Sequence, residues 1–376
     1  MRLALIIGSL GSFFNLYQLQ ALYPQLADRF GTTATEAGWL NMAALLGMML
    51  TAPVTGAATK HANPKAVLVL GFLALAALHS VIAFTTSQPL LLALRIGQGI
   101  VIPFLLTATM NLVSTKPGSL VSLYVVGTIG GSTLSRLYPA WAADALGWEQ
   151  AFTSSAALMV ASAVAIGLLP AYGQPEPAAQ GEQRSSSFTY ARRALADGSL
   201  RVAYLAGFAL LFTQSAVFTA LGIRLAAAPY SWNSSQIGMV YLACLPALFF
   251  VLSAGWLRRY VGEAAIAGSL IVLVWVGLGI VGGTGTSVIV GVALFAVGTY
   301  MFQTVTTSLL SRSRLVPAGV ATGFYLSFYY LGGAMGASLG AYAFEAWDWG
   351  GVIGCVAVSQ ALVLCLVLRG RRRSAA

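Results

Sequence analysis

Charged side chains are scarce in this chain. They make up 8% of its 376 residues, whereas a soluble domain usually carries about 25%. Apolar residues reach 58% and the mean hydropathy is +0.81, which excludes an ordinary soluble domain. A membrane-crossing helix needs about 20 mostly apolar residues. The sequence therefore predicts an all-α membrane protein with twelve transmembrane helices, at 3–26, 37–58, 66–85, 88–112, 118–144, 148–170, 201–226, 235–257, 263–283, 286–310, 316–343 and 347–368.

Residues that bind metals or do covalent chemistry are also few. Neither of the two histidines, His61 and His79, has a partner at the spacing of a metal site or a catalytic triad. The three cysteines, Cys244, Cys355 and Cys365, fall inside predicted helices without metal-ligand spacing. We therefore predict no enzyme, no metal site and no bound cofactor. His79 is interpreted as a packing residue, and a proton-relay role is the alternative.

Negative charge is missing from the predicted membrane interior. All ten acidic residues fall outside the centres of the predicted helices. At the outer rim stand Asp28, Glu36, Asp144, Glu149, Glu345 and Asp348, and on the inner side Glu176, Glu182, Asp197 and Glu263. A carrier of cationic drugs usually needs a carboxylate at membrane depth. Any central cavity is therefore expected to be neutral or positive.

Basic residues are distributed unevenly between the two sides of the membrane. With the N-terminus inside, sixteen of the twenty fall on the cytoplasmic side, and only Arg29 and Arg224 on the outer side. This positive-inside bias predicts that both termini are cytoplasmic. The net charge of +10 thus reflects topology and contact with anionic lipid, and it does not indicate nucleic-acid binding.

A polar segment divides the chain into two similar parts. The predicted organisation is a six-helix half at 1–170, a cytoplasmic linker at 171–200, and a second half at 201–376 with a basic tail. The sequence "TEAG" at 35–38 recurs as "SQIG" at 235–238, and Trp148 matches Trp349. Two parallel six-helix halves are the organisation of a secondary transporter, whose substrate site lies between them near the midplane.

Two arginines interrupt the apolar helices of the first half. Arg95 is expected roughly 10 Å and Arg136 roughly 12 Å below the outer surface, at 1.5 Å per residue. One interpretation is that both snorkel to the headgroups; the other is that they face a cavity or a polar partner. Gln98 lies one turn from Arg95 and could hold its guanidinium. As a fixed charge, Arg95 could bias a titrating neighbour, anchor an anion, or hold helix 4 against helix 5 through backbone carbonyls.

Several motifs resemble one membrane-protein family. "LRIGQG" at 94–99 resembles the fourth-helix signature of the major facilitator superfamily, and "LYVVGTIGGSTLSRL" at 123–137 is similar to the fifth helix of its bacterial YnfM-like branch. "LGIRL" at 221–225 and "YLSFYYLGG" at 325–333 resemble its seventh and eleventh helices. Two departures stand out: Lys60 replaces the acidic residue of the loop between helices 2 and 3, and the fifth helix lacks the proline of the antiporter pattern.

The resemblance implies that helices 1, 4, 7 and 10 line a central cavity. With the eleventh helix added, the candidate substrate or coupling residues are Tyr17, Gln20, Arg95, Gln98, Arg136, Gln214, Gln303, Tyr325 and Tyr329. The two helix-11 tyrosines are equally well explained by packing. The resembling fold also implies that Asp28 and Arg224 form an ion pair when the outer side closes. Gating or simple helix packing explains the small residues Gly130, Gly131, Gly332 and Gly333.

Three functional hypotheses follow from these features. The first is a monomeric transporter of the bacterial inner membrane that exports a small neutral or anionic organic solute by alternating access, driven by the proton gradient; export is implied by the resemblance. The second is an uptake carrier or uniporter for an organic anion or a sugar. The third is a channel or receptor, against which the twofold repeat argues.

Overall fold

Long apolar helices make up most of the computed structural model, which describes residues 2–59, 62–114, 119–170, 187–257, 263–310 and 318–375. By length and hydropathy, eight described segments could cross a membrane. The helices account for all twelve predicted spans and confirm the all-α membrane fold. They are α1 (Arg2–Phe14), α2 (Tyr23–Phe30), α3 (Ala34–Ala58), α4 (Pro64–Phe84), α5 (Gln88–Ser114), α6 (Ser119–Leu146), α7 (Trp148–Leu168), α8 (Ser187–Ala196), α9 (Gly198–Ala226), α10 (Ser234–Val240), α11 (Pro246–Leu257), α12 (Glu263–Val281), α13 (Thr286–Leu310) and α14 (Ala318–Ala375).

The first span is broken, although the sequence predicts one helix over 3–26. Helix α1 ends at Phe14, a 3-10 turn covers Gln18–Ala21, and α2 begins at Tyr23. Pro24 has no N–H and its ring clashes with the carbonyl four residues earlier, so an α-helix cannot run through this point without a kink. The Asn15 amide turns back to donate to the Gly11 carbonyl oxygen at 2.5 Å. Carbonyls just after this break are left without helical partners.

Helix α14 contains the last two spans. Trp347 and Asp348 have non-helical backbone angles, and Asp348 has a φ of 52°. The chain turns there, which agrees with the predicted gap between spans eleven and twelve.

Helix α8 lies within the predicted linker, where no helix was expected. Residues 171–186 and Lys60 lie outside the described residues. The predicted boundaries between the two halves and the linker stay a prediction.

Equivalent contacts recur in the two halves. A Cβ at Gly131 would clash with the Leu10 backbone of α1, and a Cβ at Gly332 would clash with the Phe208 backbone of α9. Trp148 Nε1 donates to the Ile82 carbonyl oxygen at 3.1 Å, and its repeat partner Trp349 donates to the Leu278 carbonyl oxygen at 3.2 Å. The repeat read from the sequence is therefore present in the packing.

Two helix pairs, α3 with α14 and α6 with α10, form most of the contact between the described parts of the two halves. At the first, Gly38 lies against Ala337 and Ala341; at the second, Gly238 lies against the Arg136 backbone and Ala140. Small residues let helix backbones approach closely in a membrane. We call the side that holds the loops 31–33, 147 and 227–233 the distal face. The predicted topology makes it the outer side.

Candidate functional site

Both membrane arginines are buried inside the protein. Arg95 is 1% exposed and Arg136 is 2% exposed, so neither reaches the lipid headgroups by snorkelling. They bind different partners, and the two sites are connected through the 3-10 turn of the first span.

Arg95 binds the break in the first span. Its Nη1 donates to the Asn15 carbonyl oxygen at 3.0 Å and its Nη2 to the Leu16 carbonyl oxygen at 2.6 Å. Nη1 also donates to Gln98 Oε1 at 2.6 Å, the contact expected from their spacing. A planar guanidinium can reach several acceptors at once. Arg95 thus supplies hydrogen-bond donors to carbonyls that the interrupted helix leaves unpaired. It joins α5, the fourth predicted span, to the first span and not to α6, the fifth predicted span.

His79 extends this buried polar group. Its Nδ1 lies 2.8 Å from the Leu75 carbonyl oxygen, and its Nε2 lies 2.9 Å from Gln18 Oε1 and 3.4 Å from Gln98 Nε2. Because a carbonyl oxygen only accepts, Nδ1 is the donor, and a neutral ring then accepts at Nε2. Gln98 can make that donation, as can the otherwise unpartnered Gln18 Nε2 after a half-turn of its amide.

Arg136 lies at the boundary between the two halves. Its Nε donates to Gln20 Oε1 at 2.7 Å and its Nη1 to the Ser132 carbonyl oxygen at 2.7 Å. The guanidinium carbon is 4.2 Å from the centre of the Tyr17 ring, within the range of a cation–π contact. Two rings of the second half, Phe218 and Tyr241, face it at 5.1 and 4.8 Å. Its charge is therefore balanced by amide oxygen and ring faces.

A narrow cavity lies beside Arg136, and in this structure it has no room for a water molecule. Its walls come from both halves of the protein. The lining residues are Tyr17, Gln20, Arg136, Leu211, Gln214, Ser215, Phe218 and Tyr300. Ligand pockets for drug-sized molecules usually measure about 300–1,000 Å³, so this cavity must widen to admit one.

The 3-10 turn of the first span connects the two polar sites. Gln18 points to His79, whereas Gln20, two residues later, holds Arg136. A movement of this turn would therefore change both sites together. Discontinuous helices of this kind form the binding sites of many secondary transporters.

The remaining candidates lie outside the lining of this cavity, apart from Gln214. Gln214 Nε2 donates to Thr299 Oγ1 at 3.0 Å. The Tyr325 hydroxyl lies 3.2 Å from Thr306 Oγ1, and its ring stacks on Tyr329 with centroids 5.8 Å apart. Gln303 is half-buried. The packing interpretation thus accounts for the contacts made by Tyr325.

The expected gate pair is not joined in this structure. Asp28 and Arg224 are both described, and they form no ion pair. Asp28 is exposed, whereas Arg224 Nη2 donates to the Gly282 carbonyl oxygen at 2.6 Å and its guanidinium lies 5.1 Å from the Trp349 ring. Of the four candidate glycines, Gly131 and Gly332 are at tight backbone contacts, Gly333 packs on Leu211, and Gly130 faces open space.

The aromatic residues around Arg136 could not be identified from the sequence. Phe218, Tyr241 and Tyr300 belong to the second half and occupy positions with no polar or motif signal in the sequence. Only the pairing of the two halves brings them to a first-half arginine. A search for aromatic residues on helices that face one another across the repeat axis would have been the available signal.

The sequence profile described as Major Facilitator Superfamily matches residues 5–337. The chain belongs to this superfamily. Its members are transporters and not enzymes. The chain is therefore a multi-pass membrane protein of a transporter family, which confirms the predicted family.

Curated relatives cover most of the chain. It is 25% identical to the uncharacterized MFS-type transporter YybF of Bacillus subtilis (strain 168), over 96% of this chain and 91% of that protein. It is 24% identical to the inner membrane transport protein YnfM of Escherichia coli (strain K12), over 99% and 90%. A chloramphenicol resistance protein of Streptomyces lividans is 30% identical over 73% of this chain and 70% of that protein.

Solved structures share the fold at low sequence identity. A bacterial homologue of the human lysosomal transporter Spinster, in an inward-facing and occupied conformation, superposes with a TM-score of 0.74 at 12% identity, covering 99% of this chain and 96% of that one. The nucleoside transporter NupG has a TM-score of 0.74 at 13% identity, with 98% of each chain covered. Both likenesses support the major facilitator fold.

Proposed function

We propose that this protein is a secondary active transporter that moves a small neutral or anionic organic solute across the bacterial inner membrane by alternating access. It acts as a monomer with both termini in the cytoplasm, and the proton gradient drives efflux. The observation that supports this proposal is the cavity beside Arg136, whose walls come from both halves.

The cavity's position couples its shape to the movement of the halves. Tyr17, Gln20 and Arg136 belong to the first half, and Gln214 and Tyr300 to the second. When the halves tilt relative to each other, the two sets separate on one side and the space grows. A solute that bridges the two sets then favours one closed arrangement, which is the requirement for carrier-type transport.

The charge around the cavity defines the solute class. Arg136 brings a permanent cation, while Gln20, Gln214 and Tyr300 bring neutral hydrogen-bonding groups. A cationic solute would be repelled by Arg136 in a site of low dielectric constant. Neutral polar solutes and monoanions fit this set of groups.

Efflux is favoured over uptake by one relative. The Streptomyces lividans protein at 30% identity is named for chloramphenicol resistance, and an exporter of the compound is the usual way in which a transporter gives resistance. Uptake of an organic anion is the second candidate, and the buried cation Arg136 favours it because that charge would bind the anion directly.

Purified protein in liposomes with an imposed pH gradient tests the proposal. Cationic, neutral and anionic solutes are offered in parallel, with the gradient in both orientations. We expect gradient-dependent movement of a neutral or anionic solute, reduced at least about tenfold by Arg136→Gln, which is the loss of one buried charged contact. Arg192→Gln, at an exposed arginine of α8, is the matched control. Absence of movement for all three classes under every gradient would contradict the proposal.

A further inference from the structure

Two carboxylates connect the halves on the distal face. Asp144, near the end of α6, accepts a hydrogen bond from the Ser235 backbone N–H of α10 at 2.7 Å. Glu345, near the turn within α14, accepts from the Thr35 backbone N–H at 2.7 Å and from Thr35 Oγ1 at 2.6 Å. In each case the acid belongs to one half and the donor to the other.

These two contacts occupy equivalent places in the repeat. Ser235 and Thr35 are each the second residue of their helix, α10 and α3, and they open the repeated sequences "SQIG" and "TEAG". The glycine that closes each of these sequences lies at the same helix crossing. Gly238 lies against Ala140 of the helix that carries Asp144, and Gly38 lies against Ala341 of the helix that carries Glu345.

The bonding pattern gives these acids more weight than ordinary rim charges. A hydrogen bond to an ionised acceptor is roughly twice as strong as one between neutral groups, and a helix start favours negative charge. Asp144 has a second partner, since Gln25 Nε2 donates to its other oxygen at 3.0 Å. Among the described residues, no basic side chain forms an ion pair with either acid. The backbone N–H groups of the opposite half are therefore their principal partners.

Both bonds depend on the distal ends of the halves staying together. Each bond spans the boundary between the halves, so it must break when the distal face opens. Glu36 and Glu149 are also at this rim. Glu36 Oε2 accepts from the Thr33 N–H of its own half at 2.9 Å, and among the described residues the Glu149 carboxylate forms no hydrogen bond to the second half. Asp144 and Glu345 thus differ from these neighbouring acids because their carboxylates bind the opposite half of the protein.

We propose that Asp144 and Glu345 are positioning residues of the transport cycle, a symmetric pair of latches that hold the distal face closed while the cavity opens on the other side. The inference rests on the proposed alternating-access function. It assigns distal closure to these carboxylates and not to the pair Asp28 and Arg224. Loss of one latch shifts the protein toward the distal-open state without touching the cavity.

Distances between spin labels test the latches directly. One label is placed at Gln150→Cys on α7 and the other at Thr286→Cys on α13. Both positions are exposed and lie on opposite halves near the distal face; the three native cysteines are replaced by alanine. We expect the labelled protein with both acids intact to show mainly the short distance between the labels. Asp144→Asn and Glu345→Gln should each raise the ratio of long to short distances by roughly two- to fivefold, the effect of one charged contact at a solvent-exposed rim, and the double variant should raise it further.

Matched variants separate a latch from a general structural role. Glu149→Gln should leave the distance distribution unchanged, and Asp144→Glu should restore the short distance in part because it keeps the carboxylate. The two acids occupy separate helix crossings, so either single variant tests the inference if the other fails to fold. An unchanged distribution in a folded Asp144→Asn or Glu345→Gln variant would overturn it.

Transport measured on the same proteins distinguishes this inference from the proposed function. A latch variant should change the maximal transport rate more than the solute concentration at half-maximal rate, because the cavity residues are untouched. If the latch variants change the label distances but the wild-type protein moves no solute, the proposed function is contradicted and the latch inference is not.

Discussion

The buried Arg95 guanidinium has no acidic partner in the described part of the chain, and backbone and amide oxygens hold it instead. Its guanidinium binds two carbonyl oxygens of the broken first span and the amide oxygen of Gln98. In an intact helix, these carbonyl oxygens would have accepted hydrogen bonds from backbone N–H groups of the same helix. The residue therefore stabilises a helix break at the level of the cavity, and it does so through geometry that only a planar, multiply donating group provides.

Arg95→Ala should abolish transport. The substitution leaves the carbonyls of Asn15 and Leu16 buried without donors, which lowers the free energy of unfolding by about 1–3 kcal/mol for each carbonyl. It also removes the contact that holds the turn carrying Gln20. Arg95→Lys should restore transport only in part, because one ammonium cannot reach all three acceptors with the same geometry. Solute exchange in liposomes and thermal unfolding in detergent measure the two effects. Normal exchange by Arg95→Ala would contradict this role.

His79 is expected to act by packing and hydrogen bonding. His79→Gln keeps a polar group beside Gln18 and Gln98, so transport and its dependence on pH should stay close to wild type. His79→Leu leaves those amides unpartnered and should lower the free energy of unfolding by about 1–3 kcal/mol. Transport measured across a pH series decides the matter. A flat pH profile in His79→Gln, against a sloped one in wild type, would instead make His79 a proton carrier.

Part of the site follows from sequence at the residue scale. The contact between Arg95 and Gln98 follows from a three-residue spacing on a helix, and Tyr17 and Gln20 share a helical face and line one cavity. The separation of Arg95 and Arg136 into two polar sites was not predictable. It depends on where the first span breaks, and mean hydropathy does not locate that break because Asn15, Gln18, Gln20 and Pro24 are interspersed with apolar residues.

At the scale of helices, close packing depends on single glycines. Gly131 of α6 lies against the α1 backbone, whereas its neighbour Gly130 faces open space. Gly131→Ala should therefore destabilise the protein by about 1–3 kcal/mol through overpacking and slow transport. Gly130→Ala is the control with the same added methyl group and should do neither. Thermal unfolding and solute exchange provide the measurements, and equal effects of the two substitutions would contradict the packing assigned to Gly131.

The number and order of helices could be predicted because membrane spanning imposes a length and an apolar composition on each segment. The interruptions could not be predicted. The second of them, the 3-10 turn Tyr241–Cys244 before Pro246, again depends on a proline whose helical context is strongly apolar. Helix α8 was missed because its ten residues have a mixed polar composition in a segment that otherwise indicates a loop.

Across the whole molecule, symmetry of packing is combined with asymmetry of charge. The glycine contacts, the tryptophan bonds and the distal carboxylates all recur in both halves. The buried arginines do not: Phe295 and Ala296, which stand where Arg95 would map, are fully buried apolar residues. The halves thus share the same helix packing, while the first half supplies the fixed charge and the second supplies aromatic and amide surfaces around it.

Under the proposed function, this asymmetry predicts that the charge of the solute decides whether it is exchanged. Wild-type protein should exchange a neutral solute and its anionic analogue, and should exclude the cationic analogue of the same size, because the Arg136 guanidinium would repel a second cation. Arg136→Gln should reduce exchange of the anion more than exchange of the neutral solute. Parallel exchange assays on a matched series of three analogues measure both preferences. If lipophilic cations prove to be the best substrates, Arg136 does not face the solute, and the cavity beside it is not the transport site.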